Sequence, residues 1–146
     1  MSPSTLEEYA VLVREDLEDF PASNEQLDFE EEFGPKAIQR ALEKALSRFN
    51  RMAPNIGDYG FAAFPAPGLL VDMAIIALMQ RAVFKRARNT LSYSDAGLSI
   101  DDQNWQAYRA ILNDMMASVM PEAKEIKAAI NITRGFGSVS SVYRNV

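Results

Sequence analysis

An all-α domain of four to five helices in a bundle-like arrangement, with a small β-hairpin and an extended C-terminal arm, follows from three features of the sequence. Apolar residues recur at three- and four-residue spacing along most of the chain. Pro and Gly collect in the gaps between those stretches, and no run of alternating residues is long enough to build a sheet. The helical domain is expected over residues 1–132, with its hairpin at 91–100, and the arm over 133–146.

The first helix is announced by a capping box, Ser4 with Glu7 or Thr5 with Glu8. Leu6, Tyr9, Val13, Leu17 and Phe20 then fall on one face, and Pro21 ends the pattern. A polar and acidic connection, ASNEQLDFEEEFG, leads to Pro35, which suits the first turn of a second helix with Ile38, Leu42, Leu46 and Phe49 inward; that helix should stop near Met52, before Pro54. NIGDYGFAAFPAPG reads as an ordered loop that packs Tyr59, Phe61 and Phe64 on the body.

Leu69 to Asn89 is apolar on nearly all sides through its first half, the mark of a central helix surrounded by others. It gains Arg81, Lys85, Arg86 and Arg88 only later. The apolar segment from Phe61 to Met79 is interrupted by Pro65, Pro67, Gly68 and Asp72, which favours a buried helix over a membrane span. Leu91-Ser92-Tyr93 and Leu98-Ser99-Ile100 flank Ser94-Asp95-Ala96-Gly97, where Gly97 can take the positive φ of a hairpin loop, so this stretch is expected to form a β-tongue. Ser99 is a candidate N-cap for a following helix with Trp105, Tyr108, Leu112, Met115 and Val119 on one face. Pro121 should kink that helix or start a short last one through Ile126 and Ile130.

Composition bounds the function. The 146 residues are 48% hydrophobic and 24% charged, ordinary for one globular domain with a real core. Fifteen Lys and Arg against twenty Asp and Glu give a net charge of -5, which argues against a whole-domain footprint for nucleic acid or an anionic membrane. With no Cys and no His, thiolate and imidazole metal sites, Cys nucleophiles and His-based triads are all excluded. No enzyme activity and no cofactor are expected. The absence of Cys leaves the compartment open on redox grounds while fitting an intracellular product, and MSPSTLEEYA has no secretory pattern. Asp95, Asp101 and Asp102 lack the alternation of a calcium loop and read as turn and cap residues.

Two charged features stand out as interaction sites. Lys36, Arg40, Lys44 and Arg48 recur every fourth residue, continued by Arg51, and form a basic stripe beside the apolar face of the second helix. It reads as a solvated face, as the complement of the acidic run Asp28, Glu30, Glu31 and Glu32 of the same or an adjacent subunit, or as a short DNA contact. The third candidate is the arm. Arg134-Gly135-Phe136-Gly137 matches the start of an RNA-binding RNP1 strand, but Ser138 and Ser141 occupy aromatic positions of that motif, so the match breaks down. Phe136, Val139, Val142 and Tyr143 instead supply alternating apolar contacts for a neighbouring chain.

The segment Arg88-Asn89-x-Leu91-Ser92-Tyr93-Ser94-Asp95-x-Gly97, the helix with Trp105 and Tyr108 after it, and the terminal Gly137-Ser138-Val139-x-Ser141-x-Tyr143 together resemble the head-tail connector proteins of tailed bacteriophages, also called adaptor or neck proteins. The resemblance covers Pro65 to Tyr143 and weakens toward the N-terminus. It implies a structural virion protein, made in the cytoplasm of a bacterial host. About twelve copies would stack as a homo-oligomeric ring that joins the portal and capsid to the tail terminator or a neighbouring neck protein. Genomic DNA would pass through the ring without sequence-specific binding, and no membrane would be involved. Tyr93, Asp95 and Gly97 of the tongue and the arm residues would meet those partners. Another tail or baseplate ring component, or a helical nucleic-acid-binding regulator using Lys36 to Arg51 or Arg81 to Arg88, remains the alternative.

Overall fold

The computed structural model describes residues 3–24, 31–54, 57–93 and 102–136. Among them are four α-helices, α1 (Leu6–Leu17), α2 (Pro35–Arg51), α3 (Pro67–Tyr93) and α4 (Asp102–Phe136), with single 3-10 turns at Pro21–Ser23 and Phe61–Ala63.

Of the two possible capping boxes, the one formed is Thr5 with Glu8. The Glu8 amide donates to Thr5 Oγ1 at 3.2 Å, and the Glu8 carboxylate accepts from the backbone amides of Ser4 and Thr5. Those donors, the Ser4 amide first, hold the Glu8 carboxyl below its ordinary range. The helix ends where Glu18 turns left-handed at φ 50°. Tyr9 and Val13 are buried and Leu6 and Leu17 partly so, but Phe20, read as the last inward residue, lies beyond the helix end and is 41% exposed. Pro35 occupies the first turn of α2 behind Gly34, where its missing N–H costs nothing. Ile38, Ala41, Leu42, Ala45 and Phe49 make its buried arc, as the periodicity requires.

Leu69, Leu70, Val71, Met73, Ala74, Ile75, Ile76, Leu78 and Met79 are all buried, so the first half of α3 is covered around its whole circumference by α1, α2 and α4. Pro67–Lys85 is long and apolar enough to cross a membrane, yet 56% of that stretch is buried inside this fold, as a central helix demands. The α4 helix returns antiparallel along α3: Gln80 Nε2 donates to Met116 Sδ at 3.4 Å, while Asp72, two turns earlier, feels the charge of Glu122. The expected apolar row of α4 is present in Tyr108, Leu112, Met115, Val119, Ile126 and Ile130. The loop aromatics also pack as expected. Phe49, Tyr59 and Phe64 meet edge-on at centroid separations of 4.7–6.5 Å, and Phe61 lies against Tyr9.

Two expectations about chain course are corrected, and a third in part. Leu91–Tyr93, assigned to a β-tongue, forms the last turn of α3. Once a helix is nucleated each further residue adds a hydrogen bond, so a short Leu-Ser-Tyr stretch follows the helix rather than its own weak strand preference. The arm was set to begin at residue 133, but α4 continues through Phe136. At Pro121, where a kink or the start of a short last helix was expected, no new helix starts: the proline lies inside α4. It lies on the exposed side, while Val119, Ala123 and Lys127 are buried on either side of it along the same packed row. Tertiary packing thus offsets a proline that lacks the N–H for the carbonyl of residue 117. Pro121→Ala should therefore stabilise the fold by about 2 kcal/mol, read as a higher denaturation midpoint at unchanged m-value.

Candidate interaction surface

The basic row of α2 is where the sequence placed it, with one adjustment of register. A four-residue step advances 400° around a helix, so the row drifts by about 40° per step. Lys36, Arg40 and Lys44 are exposed, but the drift carries Arg48 to the edge of the packed face, where it is half-buried. Arg51, three residues on, returns to the outward side and is exposed, its Nε donating to its own helix at the Ser47 carbonyl. The outward face is therefore Lys36, Arg40, Lys44 and Arg51, about 22 Å long, with Glu43 the single acid on α2. Among the described residues none of these four cations forms an ion pair.

Within the acidic run, Glu31 is not the free counterpart that its charge suggests. Asp28 and Glu30 lie outside the described residues. Glu31 is paired within the chain, its carboxylate 2.8 Å from Arg14. Arg14 also donates to the carbonyls of Asp19 and Phe33, both at 3.4 Å. Asp19, only 4% exposed, accepts from Asn24 Nδ2 at 2.8 Å and from the backbone amides of Glu32 at 2.7 Å and Phe33 at 2.9 Å. Residues 31–33 are thus clasped to the end of α1. Beside the clasp, Leu17, Asp19, Asn24, Glu32, Phe33, Met79 and Tyr108 line a cleft of about 130 Å³, below the roughly 300–1,000 Å³ of ordinary ligand sites.

Two charged features escaped the sequence reading. Lys127 has no exposed surface, and its Nζ donates to three carbonyls at the end of α2: Phe49 and Asn50 at 2.7 Å and Met52 at 2.6 Å. These include carbonyls that a helix leaves without intrahelical partners, at the negative end of its dipole. The ammonium also lies 5.4 Å from the centre of the Phe49 ring. Burial pushes its pKa down while the charge of Asp58 pulls it up. Its signal was present, since Lys127 follows Val119 and Ala123 at four-residue steps in the buried row of α4. The second feature is Asp72 on α3, whose carboxyl is pushed up by burial and then by the charges of Asp16 on α1 and Glu122 on α4.

A folded pKa raised above the unfolded value means that the native state holds the proton more tightly. The stability from Asp72 is thus fully present below the ordinary value of 3.8 and lost as pH rises through the raised value. At neutral pH its charge is a cost. Asp72→Asn should raise the melting temperature at pH 7 by the equivalent of about 1 kcal/mol or less, after solvent screening, and this gain should vanish as the pH falls toward 3.8. An equal gain at both pH values would show that Asp72 acts through packing instead.

Of the remaining candidate residues, Tyr93 and Phe136 are helical, at the ends of α3 and α4. Asp95, Gly97, Val139, Val142 and Tyr143 lie outside the described residues, so the tongue loop and the terminal arm add no geometry to this surface. Among the described residues no group of three His, Cys, Asp or Glu is placed to hold a metal ion. No protein family, curated protein or solved structure matches this chain.

Proposed function

We propose that this chain is a structural virion protein of a tailed-bacteriophage neck. In this reading it forms a homo-oligomeric ring, of about twelve copies by its sequence resemblance, that joins the portal and capsid to the tail around the DNA channel. The observation that carries the reading is the outward face of α2. Lys36, Arg40, Lys44 and Arg51 are held on a well-buried helix and have no ion-pair partner among the described residues, in a chain whose net charge is -5. A rigid cationic strip on an acidic molecule is complementary to other copies of that molecule, and electrostatic complementarity sets register and partner choice more than it adds affinity.

Sedimentation velocity and electron microscopy of the purified chain, over a concentration series and with a portal protein added, test this. The expected result is a concentration-dependent closed ring that caps the portal. A monomer at every concentration that binds duplex DNA with a steep salt dependence would replace this reading with that of a nucleic-acid-binding regulator.

A further inference from the structure

If α2 docks on another copy, its partner must present a matching acidic strip, and the clasp has already engaged Glu31. The opposite face of α1 provides one. With Tyr9 and Val13 at the core, the positions on the far side of that short helix are Glu7, Val11, Glu15 and, at its left-handed end, Glu18, all exposed. Val11 is 54% exposed at the middle of this strip. From Glu7 to Glu18 the strip runs about 16 Å, a length that fits within the basic strip of α2. Both strips point away from the core arcs of their helices, and no ion pair joins them within the chain among the described residues.

We propose that the α1 strip of one copy, Glu7, Val11, Glu15 and Glu18, docks on the α2 strip of the next, Lys36, Arg40, Lys44 and Arg51. The occupant is a second copy because the two faces are opposite in sign, the shorter acidic strip fits within the length of the basic one, and each helix is fixed in place by its own buried arc. The two strips differ, so the contact is heterologous and can propagate around a ring. On the acidic side the three Glu provide charge to steer, and Val11 between them provides an apolar centre to exclude water. Exposed pairs contribute little each, so this contact sets register and rate while other surfaces of the ring supply the bulk of the affinity.

This inference rests on the self-assembly proposed above, and a charge swap separates the two. Glu7→Lys with Glu15→Lys leaves the Glu8 cap intact, and Lys36→Glu with Arg40→Glu and Lys44→Glu leaves the buried arc of α2 intact; circular dichroism checks both folds. Each set alone should weaken assembly at least tenfold in 50 mM salt. Combining both sets in one chain should restore assembly, because each reversed strip then meets its reversed complement on the next copy. High salt should weaken the wild-type assembly in the same direction. Assembly unchanged by either set, or not restored when one chain carries both, overturns the α1–α2 contact and leaves the ring reading standing. Loss of duplex DNA binding in the α2 set, with assembly intact, also overturns it and makes the strip a phosphate surface. A closed dimer that dissolves with either set supports the contact, because the same two strips can pair reciprocally, while overturning the ring.

Discussion

Lys127→Met will lower the melting temperature by about 10 °C, the equivalent of about 3 kcal/mol for a chain of this size. Methionine keeps the unbranched apolar stem in a site with no exposed surface, so the substitution removes donors without opening a large cavity. What it strips away is the cap of α2. The Phe49 carbonyl still accepts from the Met52 amide at 3.1 Å, but the Asn50 and Met52 carbonyls lose the Lys127 bonds of 2.7 and 2.6 Å. Leaving a partly buried acceptor unpaired costs about 1–3 kcal/mol, and the favourable placement of a cation at a helix C-terminus disappears with it. Opposing this, the ammonium no longer has to be desolvated, which keeps the loss below the sum of three bonds. Lys124→Met on the exposed side of the same helix is the control and should move the melt by no more than about 0.5 kcal/mol. Equal effects from the two variants would mean that burial of Lys127 contributes nothing of its own.

Lys127 also shows what was legible in the sequence and what was not. The four helices and their inward faces could be read because each rests on local rules: a capping box at Thr5 and Glu8, Pro35 in a first turn, an apolar period of 3.6 in α2 and α4, apolar residues on all sides of α3. The failures came where tertiary structure outweighs local preference. Leu91–Tyr93 and residues 133–136 continue helices already under way, and no new helix starts at Pro121. The basic row was visible as a four-residue repeat, but which of its members face outward depends on the 40° drift that half-buries Arg48 and aligns Arg51. The acidic run was harder still. Nothing near Glu31 in sequence announces that Arg14, seventeen residues earlier, will hold it. A charge run looks like a free surface until the fold shows which of its members are engaged.

That engagement is testable at Asp19. Asp19→Ala will destabilise the fold by about 3 kcal/mol, a fall in melting temperature of about 10 °C. The buried carboxylate accepts three hydrogen bonds at 2.7–2.9 Å, two of them from the backbone amides of Glu32 and Phe33. Hydrogen bonds to a charged group contribute about 1.5–3 kcal/mol each, but the alanine variant regains the desolvation cost of the carboxylate, which holds the net loss near the value of two bonds. Asp19→Asn separates shape from charge. It fills the same space, yet one of its two ends becomes an NH2 donor facing another N–H, so it should recover less than half of the loss. The decisive reading is local: hydrogen exchange at the Glu32 and Phe33 amides should accelerate strongly in Asp19→Ala and remain near wild type in Lys127→Met, whose defect is at the other end of α2. With the clasp loosened, Glu31 is no longer positioned for Arg14, and a carboxylate so released would compete for the basic strip of α2. Under the self-assembly proposed above, assembly of Asp19→Ala should therefore weaken at a temperature where the helices remain formed. If the amides exchange faster while assembly is unchanged, the clasp is a stability device alone and the α2 strip takes its partner without reference to the acidic run.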